Sequence, residues 1–165
     1  MLSFKQICAI SLALLAGACG FQPLYGKQND SSVVRDRLAA TYVMPIEGRT
    51  GQIVRNELLD RVTPAGTPDG TKYRLMVKIS ERKQGLAIKE DDSTTRYNLT
   101  LSALYTLLDS TGKNTLYQGS AQSIASFNIV DSDFANLAAE KNARKRSALV
   151  LAEKIHRQLS VYMSR

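Results

Sequence analysis

The chain has 165 residues, 44% of them hydrophobic and 22% charged. This length and balance fit one domain with a buried core and exclude two large domains, a disordered chain or a collagen-like repeat. Lys and Arg number 22 against 15 Asp and Glu, a formal net charge of +7, which suits an anionic partner such as nucleic acid, phospholipid headgroups or a phosphorylated glycolipid.

Lys5 precedes an apolar run from Ile7 to Ala16. The run has the length of a signal-peptide core and falls short of the ~20 residues of a membrane-spanning helix. Export follows, and it removes a nucleic-acid role. The run ends in Leu15-Ala16-Gly17-Ala18-Cys19, which resembles the lipobox of bacterial lipoproteins. Ala16 and Ala18 also satisfy the small-x-small rule of an ordinary secretory cleavage site. Cysteine arithmetic favours the lipobox: Cys8 leaves with the signal, and Cys19 would then be a lone thiol in an oxidising compartment. The expectation is a signal peptide over residues 1–18, Cys19 as the mature N-terminus carrying palmitate-type acyl chains, a tether over 19–37 and a folded domain over 38–165. Inner-membrane lipoproteins share an Asp after the cysteine, so Gly20 at that place implies, by the same resemblance, the outer membrane.

Thr41-Tyr42-Val43-Met44 is a β-branched and aromatic run stopped by Pro45, which predicts a short strand. Over 50–62, Val54, Leu58, Arg61 and Val62 fall at helical spacing, with Arg55, Asn56, Glu57 and Asp60 opposite. A loop with two prolines and two glycines, 63–70, ends that helix. The period then changes to two. Tyr73, Leu75, Val77 and Ile79 alternate with polar neighbours, as do Tyr97, Leu99, Leu101, Ala103, Tyr105 and Leu107. Asp109-Ser110-Thr111-Gly112-Lys113-Asn114 supplies turn chemistry before a third strand over 116–127. Asp131 and Asp133 open a long final helix whose Leu137, Ala148, Leu151, Ile155, Leu159 and Tyr162 share a face. The predicted fold is α+β, order β-α-β-β-β-α, with two helices packed on one face of a four-stranded sheet.

An enzyme reading finds no reactive groups. The single histidine, His156, sits beside Arg157 and reads as solvated, and Glu90-Asp91-Asp92 reads as a solvated hairpin tip. No spacing suits a metal, a nucleophile elbow or a phosphate loop, so no catalytic residue, metal or cofactor is expected. Positive charge is local instead. From Leu137 onward seven basic residues (Lys141, Arg144, Lys145, Arg146, Lys154, Arg157, Arg165) face only Glu140 and Glu153. Counting back from Ala148 by four and by three places Arg144 and Lys141 on the apolar stripe, where an unpaired buried cation is too costly. Either the helix start overhangs the sheet edge, or these cations line a rim beside apolar surface suited to an anionic amphiphile. Arg82, Lys83, Lys89 and Arg96, around the loop joining two strands, would extend such a rim.

Three stretches carry a resemblance: Cys19-Gly20-Phe21-Gln22-Pro23-Leu24-Tyr25-Gly26, Gly48-Arg49-Thr50-Gly51-Gln52-Ile53-Val54-Arg55-Asn56-Glu57-Leu58, and Thr95-Arg96-Tyr97. Together they resemble the LptE family of lipopolysaccharide-assembly lipoproteins over essentially the whole mature chain. The resemblance implies a non-enzymatic outer-membrane lipoprotein that plugs an LptD-type β-barrel and helps lipopolysaccharide reach the outer leaflet. It also implies lipopolysaccharide contacts near the hairpin between the second and third strands and near the start of the last helix, where Lys89 and Lys141 are the nearest matches, with Arg96 close by; the charge reading adds Arg144, Arg82 and Lys83 as candidates. The alternative is a structural lipoprotein subunit of another envelope assembly machine.

Overall fold

The computed structural model describes residues 29–64, 66, 70–88 and 94–165. The signal peptide, Cys19, Lys89 and the Glu90-Asp91-Asp92 run lie outside the described residues. Within them the order is α1 (Asn29–Ala39), β1 (Thr41–Val43), α2 (Gly48–Val62), β2 (Tyr73–Ile88), β3 (Thr94–Asp109), β4 (Thr115–Asn128) and α3 (Asp133–Met163). The sheet runs β1-β2-β3-β4, with β1 parallel to β2 and the remaining pairs antiparallel. The predicted α+β architecture is present, with one addition. Helix α1 stands in front of β1, inside the stretch expected as tether. Its sequence carries no continuous apolar stripe, and long-range contacts hold it: Leu38 is buried, and Arg37 Nη1 donates to Met163 O at 2.7 Å, closing the end of α3.

The alternation in β2–β4 delivers Leu75, Val77, Leu99, Leu101, Ala103, Tyr105, Leu107, Ala121 and Phe127 to one buried face. Against it lie Val54, Leu58 and Val62 of α2 and Leu151, Ile155 and Leu159 of α3. Ala143, Ser147, Ala148 and Ala152 are small and buried, so α3 approaches the sheet closely. There Ser123 Oγ donates to Ser147 O at 2.7 Å, which satisfies a polar group inside the seam. Two glycines are fixed by contact. A Cβ at Gly51 would stand 2.7 Å from Ile46 Cγ2, and one at Gly119 would overlap Oη and Cζ of Tyr105, whose ring crosses β4 so that its hydroxyl reaches Gln158 Oε1 at 2.6 Å.

Two faces differ from expectation. Arg61, counted on the apolar stripe of α2, is exposed and pairs with Glu57 at 2.7 Å, one turn back. Leu137, counted on the stripe of α3, is 69% exposed. Leu137 lies where α3 no longer faces the sheet, whereas Arg61 sits at the rim of a stripe that Val54, Leu58 and Val62 still hold against the core.

Candidate functional site

The start of α3 and the far ends of β2, β3 and β4 form one end of the molecule. Ser132 caps the helix by accepting from the Ala135 N–H at 3.4 Å. Asn136 fixes the strand-to-helix connection: its Oδ1 accepts the Val130 N–H at 2.9 Å and its Nδ2 donates to Val130 O at 2.8 Å. This clamp holds an apolar group out in solvent. Phe134 is 83% exposed, and Leu137, Val130 and Leu86 are exposed as well. Steps of three, four and four from Phe134 give Leu137, Lys141 and Lys145, so the greasy turn runs directly into exposed cations.

Behind this stripe lies a closed ionic seam. On β2 the helix-facing positions change from Leu75, Val77 and Ile79 to Glu81 and Lys83 without a break in register. Arg144 grips Glu81 with Nε at 3.0 Å from Oε2 and Nη2 at 2.9 Å from Oε1, and its Nη2 also meets Glu140 Oε1 at 2.7 Å. Lys83 Nζ meets Glu140 Oε2 at 2.9 Å and stands 5.2 Å over the Tyr97 ring, which stacks on Phe127 at 5.8 Å. The Lys83 hydrogen bond, then that of Arg144, holds the Glu140 carboxyl below its usual value, while the bonds from Glu81 and then Glu140 raise the Arg144 guanidinium. The cation on the apolar stripe is therefore matched by carboxylates at the point where β2 stops being apolar.

The structure gives the predicted cations unequal places. Lys83 and Arg144 come together through Glu140 and link β2 to α3. Lys141 is exposed beside Leu137 and has no ion pair among the described residues. Arg82 sits within β2, not at a loop, and alternation sends it with Arg96 to the opposite face of the sheet. Lys89 lies outside the described residues.

Other basic residues of α3 work on a strand edge. Arg146 Nη2, Lys154 Nζ and Tyr162 Oη donate to the outward carbonyls of Ser126, Gln122 and Leu116 at 3.3, 2.7 and 3.0 Å. β4 is an edge strand with no charged residue of its own, and these three donors cover the acceptors that another chain would otherwise pair with. His156, expected in solvent, is half-buried between α2 and α3, where burial and then the Arg61 charge lower its pKa. Among the described residues no group of His, Cys, Asp and Glu is placed to hold a metal.

The family model for LptE, lipopolysaccharide-assembly, matches residues 38–159. The chain belongs to the LptE family. Among solved structures it is similar to a candidate lipoprotein from Caulobacter crescentus CB15, at 22% identity with a TM-score of 0.66, covering 80% of this chain and 96% of that one. A minor lipoprotein from Acinetobacter baumannii shares 20% identity with a TM-score of 0.60, covering 74% and 92%. The rare lipoprotein B from Shewanella oneidensis shares 12% with a TM-score of 0.56, covering 73% and 92%. At these identities the likeness is one of fold. No curated protein matches the sequence.

Proposed function

We propose that this LptE-family chain is a non-enzymatic outer-membrane lipoprotein, anchored through acyl groups on Cys19 and facing the periplasm, that acts with an LptD-type β-barrel as plug and assembly factor. In that role it helps move lipopolysaccharide into the outer leaflet. Beyond family membership, the reading rests on the apolar turn of Phe134 and Leu137 that runs into Lys141. A lipid A headgroup presents phosphates beside acyl chains, and a solvent-exposed ammonium next to a greasy turn meets both. Lys141 is the direct contact in this proposal, and Lys89 of the β2–β3 hairpin is a second candidate, whereas Arg96 lies on the opposite face of the sheet. Arg144 and Lys83 act through the seam that fixes the helix, and Arg82 contributes field on the far side.

The test is purification of the tagged chain from detergent-solubilised outer membranes, with mass spectrometry of its N-terminus. A large barrel in stoichiometric amount and an acylated Cys19 are expected. An unmodified Cys19 thiol sinks the anchoring, and a different membrane assembly in place of the barrel sinks the partner. Lys141→Glu should lower binding of purified lipopolysaccharide by about tenfold, as loss of one charge-assisted contact predicts. Arg157→Glu removes the same charge from an exposed site farther along α3 and should change binding far less; equal losses would show that only net charge matters.

A further inference from the structure

The helices cover one side of the sheet. Among the described residues no element covers the other side of β2–β4, and the charged side chains of these strands on it are all of one sign. Alternation places Arg74, Lys78 and Arg82 of β2 and Arg96 of β3 there, each exposed and none with an ion pair among the described residues. The described carboxylates of these strands, Glu81 and Asp109, fall on the opposite parity. Hydroxyls and amides fill most of the remaining positions, with half-buried Met76 and Leu108 between them, and the polar groups bond laterally to one another: Gln122 Nε2 donates to Ser102 Oγ at 3.3 Å and Ser126 Oγ to Asn98 Oδ1 at 2.6 Å. The relief is slight. One open depression of about 460 Å³ crosses the middle of the face, floored by Ser80, Ser102 and Ser120. Leu104 and Ile124, 69% and 58% exposed, stand apart on separate strands.

We propose that this face is the surface on which the molecule seats against an acidic protein wall, the inner wall of the barrel in the reading above, on which the inference rests. Charge complementarity selects the occupant. A second copy is repelled, because the cations of these strands would meet cations with no carboxylate of the described strand residues between them. An acyl chain finds Met76, Leu104, Leu108 and Ile124 beside an open depression floored by serines rather than an enclosed apolar trough, and a small ligand finds no enclosure. A protein wall fits: three strands of 14–16 residues at about 3.3 Å per residue and 4.8 Å spacing give about 730 Å², near the ~800 Å² per partner of a standard interface.

The test uses the full acylated chain in cells. A photo-crosslinking amino acid replaces Ser102 or Gln122 on the open face, and Val150 or Arg157 on the outer side of α3. Crosslinks to the barrel from the first pair and not the second are expected. Separately, Lys78→Glu with Arg82→Glu should reduce co-purified barrel by about tenfold, while Lys145→Glu with Arg157→Glu should not. If the double reversal disturbs folding, seen as lost circular dichroism, the crosslinks in the otherwise unaltered chain decide. A barrel that co-purifies yet crosslinks only through α3, equal losses from both charge pairs, or open-face crosslinks to lipopolysaccharide would overturn the inference alone. Absence of any barrel with the unaltered chain would overturn the reading beneath it, and the inference with it.

Discussion

Arg144 and Lys141 lie three residues apart on α3, and their replacement by alanine should separate two kinds of cation. Arg144 makes two ion pairs, with Glu81 and Glu140, and all three side chains are about a quarter to a third exposed. Exposed pairs contribute ~0.2 to 1 kcal/mol each, and the two-pronged grip on Glu81 places this one toward the upper end. Removing Arg144 also leaves Glu81 with no cation and Glu140 with Lys83 alone. Arg144→Ala should therefore cost about 1 to 2 kcal/mol, which lowers the melting temperature of a domain this size by about 4 to 8 °C. Lys141 has no such partner, and Lys141→Ala should stay within about 0.5 kcal/mol of the parent. Thermal melts followed by circular dichroism read both. A double-mutant cycle with Glu81→Gln then tests the mechanism: the Arg144 cost should shrink when Glu81 is already neutral. An unchanged melting temperature in Arg144→Ala, together with lost lipopolysaccharide binding, would refute the assignment of Arg144 to the seam.

Gly119→Ala should destabilise by about 1 to 3 kcal/mol, the usual cost of overpacking, because the new methyl collides with the buried Tyr105 ring. The same change in a Tyr105→Leu background should cost far less, and equal costs in both would show that the ring is not the obstacle. Asp109 gives a pH signature. Hydrogen bonds from Thr111 first, and from Asn114 and Lys113, hold its carboxyl at about 2 against 3.8 in an unconstrained chain. A depressed folded pKa means that this stability is complete above pH 3.8 and lost as the pH falls to about 2. Asp109→Asn should flatten the fall of melting temperature across that window, and an equally steep fall in the variant would place its origin elsewhere.

The period-two runs and the 50–62 helix were legible because each is a local pattern with one buried side, and the register of β2–β4 follows from it. Helix α1 was not, since Leu38 and Arg37 take their partners from elements far along the chain. Arg144 was rightly singled out as a cation on an apolar stripe. Its partner Glu81 lies 63 residues away, and the signal for it was present: the alternation of β2, continued past Ile79, puts Glu81 on the same face. Arg146 and Lys154 counted only as part of the local positive charge, because a sequence does not show that β4 is an edge. The Phe134 turn was hidden by the same stripe that made Leu137 look buried.

Helix α3 has 31 residues and β4 has 14, and at about 1.5 and 3.4 Å per residue both are about 46 to 48 Å long. Helix and strand run side by side where they are pinned at Leu116, Gln122 and Ser126, and the first turns of α3, with Leu137 exposed, lie beyond that packed stretch. Helix α1 meets the C-terminal end of α3 through Arg37, and Phe134 stands at the opposite end. A chain tethered through its N-terminal side therefore carries its greasy turn on a stiff strut of about 46 Å, longer than the ~30 Å hydrocarbon thickness of a bilayer. Under the proposed anchoring, and with α3 set along the membrane normal, that reach would carry Phe134 from one leaflet to the depth of the other.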